Sequence, residues 1–167
     1  MKSVQGKAVK FGNNIDTDVI LPGKWLSLID PNELAKHAME GLDPNFPKKA
    51  EKCVIIIGGK NFGCGSSREQ APLALKYAGV NCVLSESFAR IFYRNAINTG
   101  LPVLEAKDAY GNIGEGDQVT VSLRDGSITD DTANRDFKTD PLPDFLLEII
   151  DDGGLVPHLK KALKLNA

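Results

Sequence analysis

The run Cys53-Val54-Ile55-Ile56-Ile57, closed by Gly58-Gly59, constrains this chain more than any other stretch. Consecutive β-branched residues without alternation fit a strand covered on both faces. Such a strand needs helices above and below it, and the following residues supply them. Residues 68–78 read as a helix ending at Gly79, and 81–84 as a short apolar strand. Residues 87–98 read as a helix with Gly100 just beyond, and 101–104 as a third short strand. Strand, helix, strand, helix, strand predicts an α/β fold with a mostly parallel central sheet and flanking helices.

The flanks are more varied. Residues 6–11 alternate and run into the turn cluster Gly12-Asn13-Asn14, which marks a strand end. Asp30-Pro31 reads as an N-cap and first helical position, opening a helix over 32–39 that stops at Gly41. Residues 42–52, rich in proline and lysine, read as a loop. Residues 118–123 form an alternating strand, and Arg124-Asp125-Gly126 turns it into a partner at 127–129. The acidic stretch 130–144 reads as a solvated loop. Two helices close the chain, at 143–151 and 155–165, parted by Gly153-Gly154. The whole, 1–167, reads as one domain, a size that supports a real core.

Charged residues are 25% and hydrophobic ones 42%, with a formal net charge of -2. That balance argues against nucleic acid as a partner, which wants a basic face. No apolar run approaches a membrane span, and residues 1–10 lack the apolar core of a secretory signal. Three cysteines, Cys53, Cys64 and Cys82, form neither a disulfide framework nor a C-x-x-C ligand set. A reducing cytoplasm is the expected location, with no metal site or cofactor in this chain.

Chemistry concentrates in Asn61-Phe62-Gly63-Cys64-Gly65-Ser66-Ser67-Arg68-Glu69, between the buried strand and a helix. Ligands of parallel α/β sheets bind at the carboxyl ends of strands. Gly63 and Gly65 allow a tight turn and close backbone approach. Ser66 and Ser67 are expected at or just before the helix N-terminus, where free N–H groups favour an anion. Arg68 adds a fork suited to a carboxylate. Three readings fit: a serine cap with a surface arginine, a site for an acidic ligand, or a site that stabilises a Ser66 alkoxide through the amides of Ser67 and Arg68. Arg68 stands where a dinucleotide loop needs Gly or Ala, and no Gly-Lys-Ser/Thr or Gly-x-Ser-x-Gly is present.

The stretch Asn61 to Pro72 resembles the signature of aconitase-type hydro-lyases: the small subunit of 3-isopropylmalate dehydratase and its relatives, and the swivelling fourth domain of aconitase. Three further motifs follow the family's order: Asn14-Ile15-Asp16-Thr17-Asp18-Val19-Ile20, Pro22-Gly23-Lys24-Trp25-Leu26, and Ser87-Phe88-Ala89-Arg90-Ile91-Phe92-Tyr93-Arg94-Asn95. The resemblance implies a swivelling β/β/α domain and a separate large subunit holding a [4Fe-4S] cluster, in a heterodimer or heterotetramer. It implies dehydration and rehydration of a malate-like hydroxy diacid. Ser66 is then the catalytic base, Ser67 and Arg68 bind a substrate carboxylate, and Thr17 and Asp18 lie near the reacting groups, Asp18 as a second catalytic candidate. Self-association of the isolated chain as a homo-oligomer is compatible with this.

Trp25-Leu26-Ser27-Leu28 aligns with the family's substrate loop. Relatives that take an extra carboxylate, such as homoaconitases, tend to place arginine where Ser27 stands. Trp25, Leu26 and Leu28 suit a branched alkyl group, because an unpaired carboxylate in a closed site is costly while an isopropyl group gains from burial. 3-Isopropylmalate is the favoured substrate, with dimethylmalate and methylmalate as alternatives; core packing is the competing reading of these residues. His37, His158, Arg90 and Arg94 read as surface or packing residues, and Cys64 as a small filler or a thiol near a helix N-terminus. The rivals from other classes are an anion-binding module without chemistry and an RNA-binding regulator, the latter disfavoured by the acidic balance.

Overall fold

The computed structural model describes residues 3–164. The chain runs β1 (Ser3–Lys10), α1 (Thr17–Ile20), a 3-10 turn (Gly23–Trp25), α2 (Pro31–Ala35), α3 (Phe46–Ala50) and β2 (Val54–Gly58). It continues through α4 (Gln70–Ala78), β3 (Val80–Ser85), α5 (Arg90–Thr99), β4 (Val103–Glu105), α6 (Lys107–Asn112) and β5 (Gln118–Ser122). It ends with β6 (Ser127–Asp130), β7 (Arg135–Lys138), α7 (Asp144–Asp151) and α8 (Leu155–Ala162). Leu165, expected in the last helix, lies outside the described residues.

The strands form one sheet in the order β4-β3-β2-β1-β5-β6-β7. β1 through β4 pair in parallel. β5, β6 and β7 extend the sheet from β1 in antiparallel pairing. Every residue of β2 is buried, as its unbroken apolar run requires, and Ile55, Ile56 and Ile57 are fully so. Burying one such side chain contributes about 2 kcal/mol. Helix α2 packs on α4, α4 on α5, and α5 on α7 and α8, while α6 lies against β2 and β3.

Three expectations are corrected, and α6 falls where no element was expected. The stretch 130–144 contains β7, an edge strand with Phe137 as its one apolar residue and mostly exposed side chains, so no periodicity marks it. The stretch 42–52 contains α3, anchored by the fully buried Phe46. α6 is held by the Lys10 ammonium, which donates to the Tyr110 and Ile113 carbonyls at 2.7 Å, a contact across the fold. α2 stops at Ala35, and Met39 takes φ +58 so that its N–H reaches the Ile20 carbonyl at 2.7 Å.

Candidate active site

Beyond the carboxyl ends of β1, β2 and β3, three segments lie side by side. Phe62 bridges Phe88, donating to the Ser87 carbonyl at 3.0 Å and accepting from the Ala89 N–H at 3.0 Å. On the other flank, the Gly63 N–H reaches the Ile15 carbonyl at 2.7 Å, and the Thr17 N–H reaches the Cys64 carbonyl at 2.8 Å. The glycine loop is therefore the middle strip of a small layer capping the parallel strands. Phe62 pins it from below, with Phe92 and Phe88 rings at 5.4 and 6.1 Å. Gly63 (φ +79) presses against the Phe92 ring, leaving no room for a Cβ. At Gly65 (φ +94) a Cβ would lie 2.5 Å from the Asp16 carboxylate. That carboxylate is in use: it caps α1 by accepting from the Asp18 N–H at 2.7 Å.

This frame presents Ser66, Ser67 and Arg68 together. Ser66 and Ser67 are exposed, and the Ser66 hydroxyl makes no hydrogen bond among the described residues. Among the described residues, the N–H groups of Ser66, Ser67 and Arg68 donate to no backbone acceptor. One expectation changes here. α4 begins at Gln70, so the two serines do not cap it, and the free donors are those of the loop itself. The pairing with residues 15–17 runs to Cys64, and the chain then bends at Gly65 and Ser66 before the helix starts.

Thr17 is 2% exposed, and its hydroxyl donates to the Ser66 carbonyl at 2.8 Å. The resemblance implies a place for it near the reacting groups; in the structure its side chain turns inward and holds the Ser66 peptide. Asp18 Oδ1 accepts from Arg68 Nη1 at 2.5 Å and from the Gly23 N–H at 2.9 Å. Arg68 Nη1 also donates to the Leu21 carbonyl at 3.0 Å. These contacts occupy one corner of the guanidinium. Its Nη2 has no partner within the described residues and faces Gly23, whose Cβ would lie 3.6 Å away. The Arg68 hydrogen bond, then that of the Gly23 amide, holds the Asp18 carboxyl below its ordinary value. Asp18 is thus a fixed anion that aims Arg68, and its tendency to carry a proton is reduced.

Of the loop residues, Trp25, Leu26 and Leu28 are partly buried against the core and Ser27 is exposed. The next residue, Ile29, is 92% exposed and was not singled out by sequence. Asn95 was also passed over as a site residue: its Nδ2 lies 3.5 Å from Ser67 Oγ. Its place one turn into α5, at the end of a quoted motif, was the available signal. Cys64 is no thiolate. Burial, then the Asp16 charge, pushes its thiol up.

No group of three or more His, Cys, Asp or Glu is arranged to hold a metal among the described residues. Cys53 is exposed, Cys64 half-buried and Cys82 buried in the core, its thiol pushed far up by burial. Residues so scattered do not fit an iron–sulfur cluster. No helix among the described residues is long and apolar enough to cross a membrane.

Residues 13–109, which include the whole of this layer, match the family model of the aconitase C-terminal domain. The chain belongs to that family. The isopropylmalate/citramalate isomerase small subunit of Methanocaldococcus jannaschii is 54% identical, over 96% of this chain and 95% of that protein. The 3-isopropylmalate dehydratase small subunit of Caldanaerobacter subterraneus subsp. tengcongensis is 52% identical, over 96% of this chain and 100% of that protein. The crystal structure of 3-isopropylmalate dehydratase from Methanocaldococcus jannaschii superposes with a TM-score of 0.90 at 47% identity, covering 98% of this chain and 96% of that one. The aconitase C-terminal domain fold expected from the motifs is the fold observed, with the layer of three segments as its distinctive cap.

Proposed function

We propose that this chain is the small subunit of a 3-isopropylmalate dehydratase, a hydro-lyase that interconverts 2-isopropylmalate and 3-isopropylmalate in leucine biosynthesis. One observation carries the reading: an exposed, unbonded Ser66 hydroxyl stands beside an Arg68 that Asp18 aims and that keeps one edge free. The names of the relatives, 3-isopropylmalate dehydratase and isopropylmalate/citramalate isomerase small subunits, support this choice of substrate. The absence of charge at Ser27 agrees with an alkyl group there. Since this chain does not fit a cluster, the [4Fe-4S] cluster is assigned to the partner large subunit, and the steps below concern this chain's own residues.

The free Nη2 edge of Arg68 and the Ser67 hydroxyl hold a substrate carboxylate. Ser66, as alkoxide, takes the proton from the carbon next to that carboxylate. The hydroxyl leaves the neighbouring carbon on the partner's side, and the double bond forms. Hydroxide then adds to the carbon that lost its proton, and Ser66 returns that proton to the carbon that lost its hydroxyl, so that the two groups have exchanged places. A serine alkoxide is a costly species. The Arg68 charge and the unused loop amides are the groups available to stabilise it. Asp18 keeps Arg68 aimed, and Thr17 fixes the peptide that carries Ser66. A biosynthetic enzyme of this kind belongs in the cytoplasm.

The test is co-expression with the cognate large subunit without oxygen, following alkene-diacid absorbance from 3-isopropylmalate. The expected outcome is activity that Ser66→Ala reduces by a factor of about 10² or more with assembly intact. An assembled, cluster-loaded complex inactive on isopropylmalate, dimethylmalate, citramalate and homoisocitrate would leave anion binding without chemistry as the function of the loop.

A further inference from the structure

Beside the site lies a cluster that the mechanism does not use. Glu40 receives three donors: Lys24 Nζ at 2.9 Å on Oε1, and Trp25 Nε1 at 2.8 Å and His37 Nδ1 at 2.7 Å on Oε2. The Trp25 indole stacks on the His37 imidazole, centroids 3.6 Å apart and planes 13° from parallel. The Lys24 ammonium sits 4.9 Å from the indole centroid. Because a carboxylate only accepts, the His37 contact requires a proton on Nδ1, so Oε2 receives both ring N–H groups at once.

The platform under this cluster is tied to the catalytic layer. The Met39 N–H donates to the Ile20 carbonyl at 2.7 Å and the Gly41 N–H to the Val19 carbonyl at 3.2 Å, so residues 37–41 ride on α1, which carries Thr17 and Asp18. The 3-10 turn is held at its start by the Gly23 N–H on Asp18. It is held at its end by the indole. Past that point Leu26 and Leu28 are only partly buried, Ser27 is exposed and Ile29 is 92% exposed. A tryptophan that only filled space would bury its ring. This one is half-buried, and both its face and its N–H are matched by polar side chains.

We propose that His37 and Glu40 are positioning residues for the substrate-facing loop: by clamping Trp25 they set where Leu26 to Ile29 stand relative to Arg68. The inference rests on the isopropylmalate reading, in which this loop meets the alkyl group. A loop held in place before binding spares the ordering cost when the alkyl group packs on it, so the clamp acts on KM and on the choice of alkyl group. The proton transfer at Ser66 does not pass through it.

The assembled complex tests this with Glu40→Gln, which keeps shape and loses charge, and His37→Asn, which keeps a donor and loses the ring. Each is assayed on 3-isopropylmalate and on citramalate, with Trp25, the chain's one tryptophan, as a fluorescent reporter. We expect KM for isopropylmalate to rise about fivefold to tenfold, about 1 kcal/mol, with kcat within about twofold. KM for citramalate, which offers only a methyl group, should move less, and Trp25 emission should shift in both variants. Unchanged KM with shifted emission overturns the proposal, and so does a fall in kcat at constant KM. Should the wild-type complex turn over neither malate, the substrate reading fails separately. The clamp is then judged by deuterium uptake at 25–29 in the complex, and equal uptake in wild type and Glu40→Gln overturns it.

Discussion

Thr17 shows how one buried hydroxyl can shape a site from behind its backbone. Its Oγ1 is the donor for the Ser66 carbonyl, in a place almost closed to water. Thr17→Val keeps the volume and removes the donor. We expect it to cost about 1 kcal/mol in denaturant unfolding and about tenfold in kcat/KM, with Thr17→Ser restoring most of both. Asp18 carries a pH signature. Its folded-state pKa lies below its ordinary value, first through the Arg68 hydrogen bond and then through Gly23. Its pairing therefore stabilises the fold above the unfolded carboxylate value, and that contribution disappears as pH falls through the lower folded value. The Asp18–Arg68 contact should persist throughout the neutral and mildly acidic range, which a carboxyl-carbon NMR titration of Asp18 can follow. The thiols divide by burial. Cys53 should react first with an alkylating reagent, Cys64 slowly, and Cys82 only on unfolding, as mass spectrometry of timed quenches would show. Residue identity placed Ser66, Ser67 and Arg68 together in one loop, where the two serines are exposed and Arg68 is partly buried. It left the bonding of Thr17 open, because whether a threonine faces outward or into the core depends on a carbonyl far away in sequence.

At the scale of elements, the glycine loop works because the Phe92 ring of α5 at Gly63 and the Asp16 carboxylate at Gly65 leave no space for side chains. Gly65→Ala would force a left-handed backbone and push aside the Asp16 carboxylate that caps α1. The backbone term is about 1–2 kcal/mol and the lost cap about 1 kcal/mol. We expect roughly 2–3 kcal/mol of lost stability in chemical unfolding, with Thr17 and Asp18 displaced because they sit on that helix. The elements built on strong local signals were readable: β2 from its apolar run, α2 from Asp30-Pro31, and α5 from Gly100 beyond it. Those missed are short pieces held by distant groups, namely α3 by buried Phe46, α6 by Lys10, and β7 by its ladder to β6. Periodicity needs a buried face, and β7 has almost none.

In the molecule as a whole, β1 is the hinge of the architecture, parallel to β2 on one side and antiparallel to β5 on the other. Hydrogen exchange should be slowest in β1, β2 and β3 and fastest in β7 and in α8, which buries no residue. The sequence by itself determined the α/β class, the parallel strands around residues 53–104, the family, and the loop that carries Ser66, Ser67 and Arg68. These follow from local patterns: apolar runs, caps, and glycines where the backbone must turn. Only the tertiary structure decided that the sheet is antiparallel in its other half, that Thr17 holds Ser66, that Asp18 aims Arg68, and that Trp25 is clamped by His37 and Glu40. Each of those depends on groups meeting across the fold, where a hydrogen bond of under 3 Å fixes a role that residue type and spacing leave open.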